Sequence, residues 1–164
     1  MHSAIPRPGG PAVVGYDGSA AARRAVRESA LLLAHRAALV VVVVREAGAA
    51  FEAIALRALD PPAAPIDVGA ALVVEDALHE GARRLARQGA ALAREAGVQA
   101  EALAVAQEGT VAETLIRLAR HRAAVALVLG AHGHGTLREL TLGSTTREAL
   151  HRAPCPVVVV GATG

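Results

Sequence analysis

The chain has 164 residues, 53% of them apolar but only 1% aromatic, and a formal net charge of +2 at neutral pH. That length suits one domain with a sizeable core built from alanine, valine and leucine. The scarcity of aromatics leaves no stacking platform for single-stranded nucleic acid. The arginines stand beside glutamates at helical spacing rather than in one basic block, so nucleic-acid binding is not expected.

Taken from the N-terminus, residues 1–11 hold three prolines and no apolar signal region. They read as a flexible tail, with one domain over residues 12–161. Residues 12–16 form the first strand. Asp17-Gly18-Ser19 makes a turn in which Ser19 can cap the next helix, residues 20–35. Ala22, Val26, Ser29 and Leu33 give that helix one buried stripe. Residues 38–44, with five consecutive valines, are the second strand. This stretch belongs to the longest apolar run, 37–44, which Arg36 and Arg45 bound well short of the ~20 residues a membrane span needs.

Residues 47–66 carry Pro61, Pro62 and Pro65 and read as a mobile connection with one helical turn near residues 53–59. A long helix follows over residues 70–96. Its expected buried stripe is Leu78, Ala82, Leu85, Gly89, Leu92 and Ala96, and Gly97 is its stop. Residues 100–106 are the third strand. Thr110 and Glu113 form a capping box that opens a helix running to Arg122. Residues 125–130 are the fourth strand and 131–142 a Gly-rich loop. Thr145 and Glu148 repeat the capping-box spacing at the start of a last helix, Ser144 to Arg152. Residues 156–160 are the fifth strand.

Short β-branched runs alternating with helices predict an α/β fold: a doubly wound, five-stranded parallel sheet in the order 3-2-1-4-5 with helices on both faces. The switch point of that order lies between the first and fourth strands, where ligands usually bind. It brings Asp17 and the Gly-rich loop together. Val157–Val160 falls at a sheet edge. An apolar edge needs pairing or cover, so a homodimer through this strand is expected. Cys155 is the lone cysteine; it excludes an internal disulfide and fits a reducing, cytoplasmic setting. It is expected to be a buried structural thiol rather than a reactive one.

The loop carries the chemistry. Gly130, Gly133 and Gly143 let the backbone turn sharply and approach a ligand. The N–H groups at the last helix entrance, with the hydroxyls of Ser144, Thr145 and Thr146, form an anion site suited to a triphosphate. The plainer alternative is a turn followed by an ordinary cap, and Asp17 also reads as a turn residue. The Walker pattern and its lysine are absent. His132 and His134 lack a third ligand nearby, so no protein-bound transition metal is expected; Mg²⁺ carried on the phosphates of a bound ligand suits the loop better. Arg147, in the first turn of the last helix, opposes the helix dipole but could assist phosphates.

Three segments resemble the universal stress protein family. Val13-Val14-Gly15-Tyr16-Asp17-Gly18-Ser19 is similar to its opening strand and turn. Gly130-x2-Gly133-x9-Gly143-Ser144 matches its ATP-binding signature, and residues 153–160 resemble its last strand. The resemblance implies a Rossmann-like, adenine-nucleotide-binding fold. It implies that Asp17 accepts from the adenine amino group, that Gly15 and Tyr16 lie near base and ribose, and that Val44 packs on adenine. Leu129 and Gly130 would approach the ribose, while His132, Gly133, Gly143, Ser144, Thr145 and Thr146 would surround the phosphates. Ala126, Val43 and Arg147 depart from the family pattern, which commonly has an aspartate, a histidine and an acidic residue there.

The function implied is a cytoplasmic, ATP-binding stress-response module, homodimeric through Val157–Val160, that signals to a protein partner not legible in the sequence. No general base is aimed at a phosphate, so hydrolysis is expected to be slow at most. The alternative is a nucleotide hydrolase or adenylyl-transfer enzyme in which His132 or His134 does acid–base work.

Overall fold

The valine run that marks the second strand pairs on both sides with parallel strands, and the sheet grows outward from it. The computed structural model describes residues 10–33, 39–45, 68–131 and 142–161. In chain order the elements are β1 (Ala12–Gly15), α1 (Ala20–Leu33), β2 (Leu39–Arg45), α2 (Val68–Glu95), β3 (Ala100–Ala106), α3 (Val111–His121), β4 (Ala126–Gly130), α4 (Ser144–Arg152) and β5 (Val157–Val160). The five strands are ordered β3-β2-β1-β4-β5. Val13 lies between Val40 of β2 and Leu127 of β4, and Leu129 of β4 sits beside Val159 of β5.

Alternation along the central strands feeds two cores. Ala12 and Val14 of β1, with Ala126 and Val128 of β4, pack with α1 and α2. Val13, Leu127 and Leu129 turn to the other face and pack with Leu115 and Ile116 of α3 and Ala149 of α4. Both faces of β1 and β4 are thus dry, which is why these strands read as continuous apolar runs.

Helix ends follow local chemistry. At α3 the Thr110 hydroxyl accepts from the Glu113 N–H at 3.0 Å, and the Glu113 carboxylate accepts from the Thr110 N–H at 3.0 Å. That is the capping box expected from the sequence. α2 ends in a Schellman turn: Gly97 adopts φ +83, its N–H donates to the Arg94 carbonyl, and the Val98 N–H donates to that of Ala93. α3 ends the same way, but the left-handed position is filled by Ala123, at φ +47.

Two expectations about the helices need correction. The second capping box, Thr145 with Glu148, does not form: the N-cap of α4 is Gly143, with no side-chain cap bond. Glu148 is drawn elsewhere, accepting from the Thr110 hydroxyl at 2.9 Å and from Arg152 one turn on. On α2, Leu78 and Ala96 are exposed, and the buried stripe is Ala71, Ala82, Ala86, Gly89, Ala90 and Ala93. Small residues let this helix lie close to the sheet, so Leu85 and Leu92 reach the core only from its flanks.

His79 is half-buried, and His121 and His151 are exposed; His35 lies outside the described residues, as does the connection 47–66. Cys155 is half-buried against the α3/α4 core, and burial pushes its thiol above the ordinary value. A thiol held protonated is a poor nucleophile, in keeping with a packing role.

Candidate functional site

The carboxyl ends of β1 and β4 lie side by side at the switch point of the sheet, and each runs into a helix N-terminus. After β1 the chain turns through Gly18, at φ +78. The Ser19 N–H donates to Asp17 Oδ1 at 2.9 Å, and the Ser19 hydroxyl accepts from the Ala22 N–H at 3.1 Å. Asp17 is therefore both a turn-former and a carboxylate held at the crevice, and Ser19 caps α1 as its sequence position suggests.

The residues flanking Asp17 contribute mainly backbone. The Tyr16 ring is buried in the α1/α2 core, and its N–H donates to the Val42 carbonyl at 2.8 Å. At Gly15 an added Cβ would stand 2.7 Å from Leu129 Cδ2 and 3.2 Å from Leu115 Cδ1. Glycine there lets β1 pack beneath those leucines. Leu129 is itself buried on the α3/α4 side, so its main chain, not its side chain, reaches the crevice. Val44 lies near the end of β2, in register with Val105.

β4 makes the other wall. A Cβ on Gly130 would stand 3.0 Å from Ala21 Cβ and 3.1 Å from the Ala21 carbonyl carbon. The first turn of α1 is thus seated directly on Gly130, a close approach that glycine alone allows without displacement. The Ala131 N–H donates to the Val160 carbonyl at 2.8 Å, and the Gly143 N–H donates back to the Ala131 carbonyl at 2.9 Å. That bond closes the base of the Gly-rich loop. His132 and Gly133, with His134, lie outside the described residues.

α4 opens at this base. The Arg147 N–H makes the first helical bond, to the Gly143 carbonyl at 2.9 Å. The N–H groups of Ser144, Thr145 and Thr146 therefore have no acceptor within the helix, and Gly143 supplies no side-chain oxygen to take their place. Ser144 is exposed and Thr145 half-buried. Thr146 differs: it is buried, and its hydroxyl donates to the Gly130 carbonyl at 2.9 Å. It pins α4 to the end of β4 and so fixes the direction of the open N–H groups. Composition gave no sign of this division of labour among three adjacent hydroxyls. The close seat of Ala21 on Gly130 was also missed, because it joins residues far apart in sequence.

Behind the site, α3 and α4 are tied by polar groups. Arg152 donates to Glu113 Oε1 at 2.9 Å and also to Glu148. The Thr110 N–H and then Arg152 hold the Glu113 carboxyl below its ordinary value. Among the described residues no group of three His, Cys, Asp or Glu is placed to hold a metal ion. No described helix is long and apolar enough to cross a membrane.

A doubly wound parallel sheet with two helix N-termini beside its switch point defines an α/β protein of the class that usually binds ligands at the carboxyl end of its strands. The model of the universal stress protein family matches residues 10–161, and the chain belongs to that family. A universal stress protein family structure from Burkholderia pseudomallei is 28% identical, with 93% of this chain and 96% of that one covered at a TM-score of 0.64. The universal stress protein from Archaeoglobus fulgidus in complex with dAMP shares the fold at 19% identity, with 92% and 96% covered and a TM-score of 0.60. A universal stress protein in complex with cAMP does so at 23% identity, with 94% and 98% covered and a TM-score of 0.62.

Proposed function

We propose that this chain binds an adenine nucleotide, ATP in particular, in the crevice between β1 and β4, and works as a nucleotide-controlled stress-response module. The observation that carries this reading is the α4 N-terminus. A glycine cap leaves the N–H groups of its first turn and the exposed Ser144 hydroxyl without a helical or capping acceptor among the described residues, as an anionic phosphate chain requires. Fold relatives in complex with dAMP and cAMP support the adenine class.

In this reading Asp17 accepts from the adenine amino group, and Gly15, Tyr16, Val44, Leu129 and Gly130 line the base and ribose. The phosphates lie against His132, Gly133, Gly143, Ser144 and Thr145, with Thr146 holding the cup in place. The donor set consists of N–H and O–H groups rather than a carboxylate cluster, so Mg²⁺ would be held through phosphate oxygens. In this reading Asp17, whose Oδ1 accepts from the Ser19 N–H, faces the base rather than the phosphates and is a poor candidate for activating water there, so hydrolysis would be slow at most. The module would act as a cytoplasmic homodimer through Val157–Val160, its occupancy altering the surface offered to a protein partner.

Thermal melts test the nucleotide class. A ligand at about 100 times its Kd stabilises the native state by about 2.7 kcal/mol, a shift of several degrees. ATP with Mg²⁺ should raise the Tm and GTP should not. An equal rise with both nucleotides, or with neither, overturns the adenine reading.

A further inference from the structure

A cation in the first turn of a helix works against the macrodipole, whose positive end lies there. Arg147 occupies that turn of α4, and no acidic residue accompanies it. It stands three residues after Ser144 and so shares that residue's exposed side of the helix. Its guanidinium turns back toward the N-terminus and donates from Nη2 to the Leu142 carbonyl at 3.1 Å. Among the described residues it makes no ion pair; like Arg23, Arg24 and Arg94 it bonds to a main-chain carbonyl instead.

The first-turn N–H groups, the dipole and a guanidinium therefore gather at one spot, where among the described residues the Leu142 carbonyl is the acceptor that meets the guanidinium. That excess of positive charge is relieved by an anion, and more fully by one of higher charge. A carbonyl acceptor at the surface is easily exchanged for a phosphate, with which the planar fork of arginine can make two charge-assisted bonds.

We propose that Arg147 sets the phosphate count of the ligand: it selects a nucleoside triphosphate over a monophosphate by exchanging the Leu142 carbonyl for the terminal phosphate. This rests on the adenine-nucleotide reading and deepens it. The residue would be a specificity determinant rather than a catalytic group.

Calorimetric titration of the full chain with ATP and with AMP, at one fixed salt concentration, tests it in the native protein, Arg147→Ala and Arg147→Lys. Loss of a charge-assisted bond should weaken ATP by about tenfold or more while AMP stays within about twofold. Lysine, which keeps the charge and loses the fork, should restore part of the difference. Equal weakening of both ligands, or no change in either, overturns the selectivity role while leaving the adenine site standing. Failure of the native protein to bind either nucleotide overturns both. Arg147 is exposed, so circular dichroism of both variants should match that of the native chain.

Discussion

Replacing Thr146 by valine keeps the shape of the side chain and removes its hydroxyl. In the native fold that hydroxyl belongs to a residue only 3% exposed and donates to the Gly130 carbonyl at 2.9 Å. The bond itself is worth about 1 kcal/mol net, and leaving the half-buried Gly130 carbonyl without its donor raises the cost to about 1–3 kcal/mol. A loss of about 2 kcal/mol in a chain of this size should lower the Tm by about 4–8 °C. Thr146→Ser provides the control, since it keeps the donor and deletes one methyl group for about 1 kcal/mol. Urea unfolding of the three proteins, with unchanged slopes, should rank them native, then serine, then valine. A valine variant as stable as the native chain, or more stable than the serine variant, would refute the clamp. Thr146 would then count among the groups facing the ligand.

Other expected outcomes follow from single contacts. Ala123 holds a left-handed conformation at the end of α3. Ala123→Gly should therefore stabilise the fold by about 1 kcal/mol, measured as a rise in urea midpoint; no gain would mean that the turn carries no strain. The Glu113 carboxyl is held below its ordinary value of 4.5, chiefly by the Thr110 N–H and then by Arg152. Its contribution is present above that value and lost as the pH falls through the lower, folded value. Glu113→Gln should flatten the acid limb of a stability–pH curve, and an unchanged limb would place the acid sensitivity elsewhere. On β5, the Leu127 N–H donates to the Pro156 carbonyl and the Ala131 N–H to that of Val160, which leaves the Val159 backbone on the outer edge. Val159→Pro should abolish edge pairing without a lost sheet bond, so light scattering should move from two chains to one. A variant that retains the mass of two chains would exclude this edge as the interface.

The parts of the fold legible in the sequence were those set by local patterns. Five valines in a row can be little other than a strand, and Thr110-x-x-Glu113 gives both reciprocal bonds of its box. The same spacing at Thr145 and Glu148 failed because a tertiary contact competed: Thr110 and Arg152 draw Glu148 across to α3. The stripe of α2 was misplaced for a related reason. Hydropathy favours leucines, whereas close packing of this helix on the sheet favours Ala86, Ala90 and Ala93.

The crevice shows the same contrast. The turn at Asp17 and the glycine entrance to α4 were readable because each is a short-range backbone requirement. The burial of Tyr16 and Leu129 follows from strand alternation once the sheet exists. The clamp from Thr146 to Gly130 spans 16 residues, and nothing in the sequence ranks that hydroxyl above its two neighbours.

The most direct test of the nucleotide site is calorimetry of Mg²⁺-ATP binding to the native chain and to the double variant Gly143→Val, Ser144→Ala. The variant adds a branched side chain at the helix cap and removes an exposed hydroxyl, leaving the Thr146 clamp in place. Saturable binding by the native protein that the double variant loses is the expected result. Binding of equal strength by both, or none by well-folded native protein at millimolar ATP, would contradict a nucleotide site at the entrance of α4.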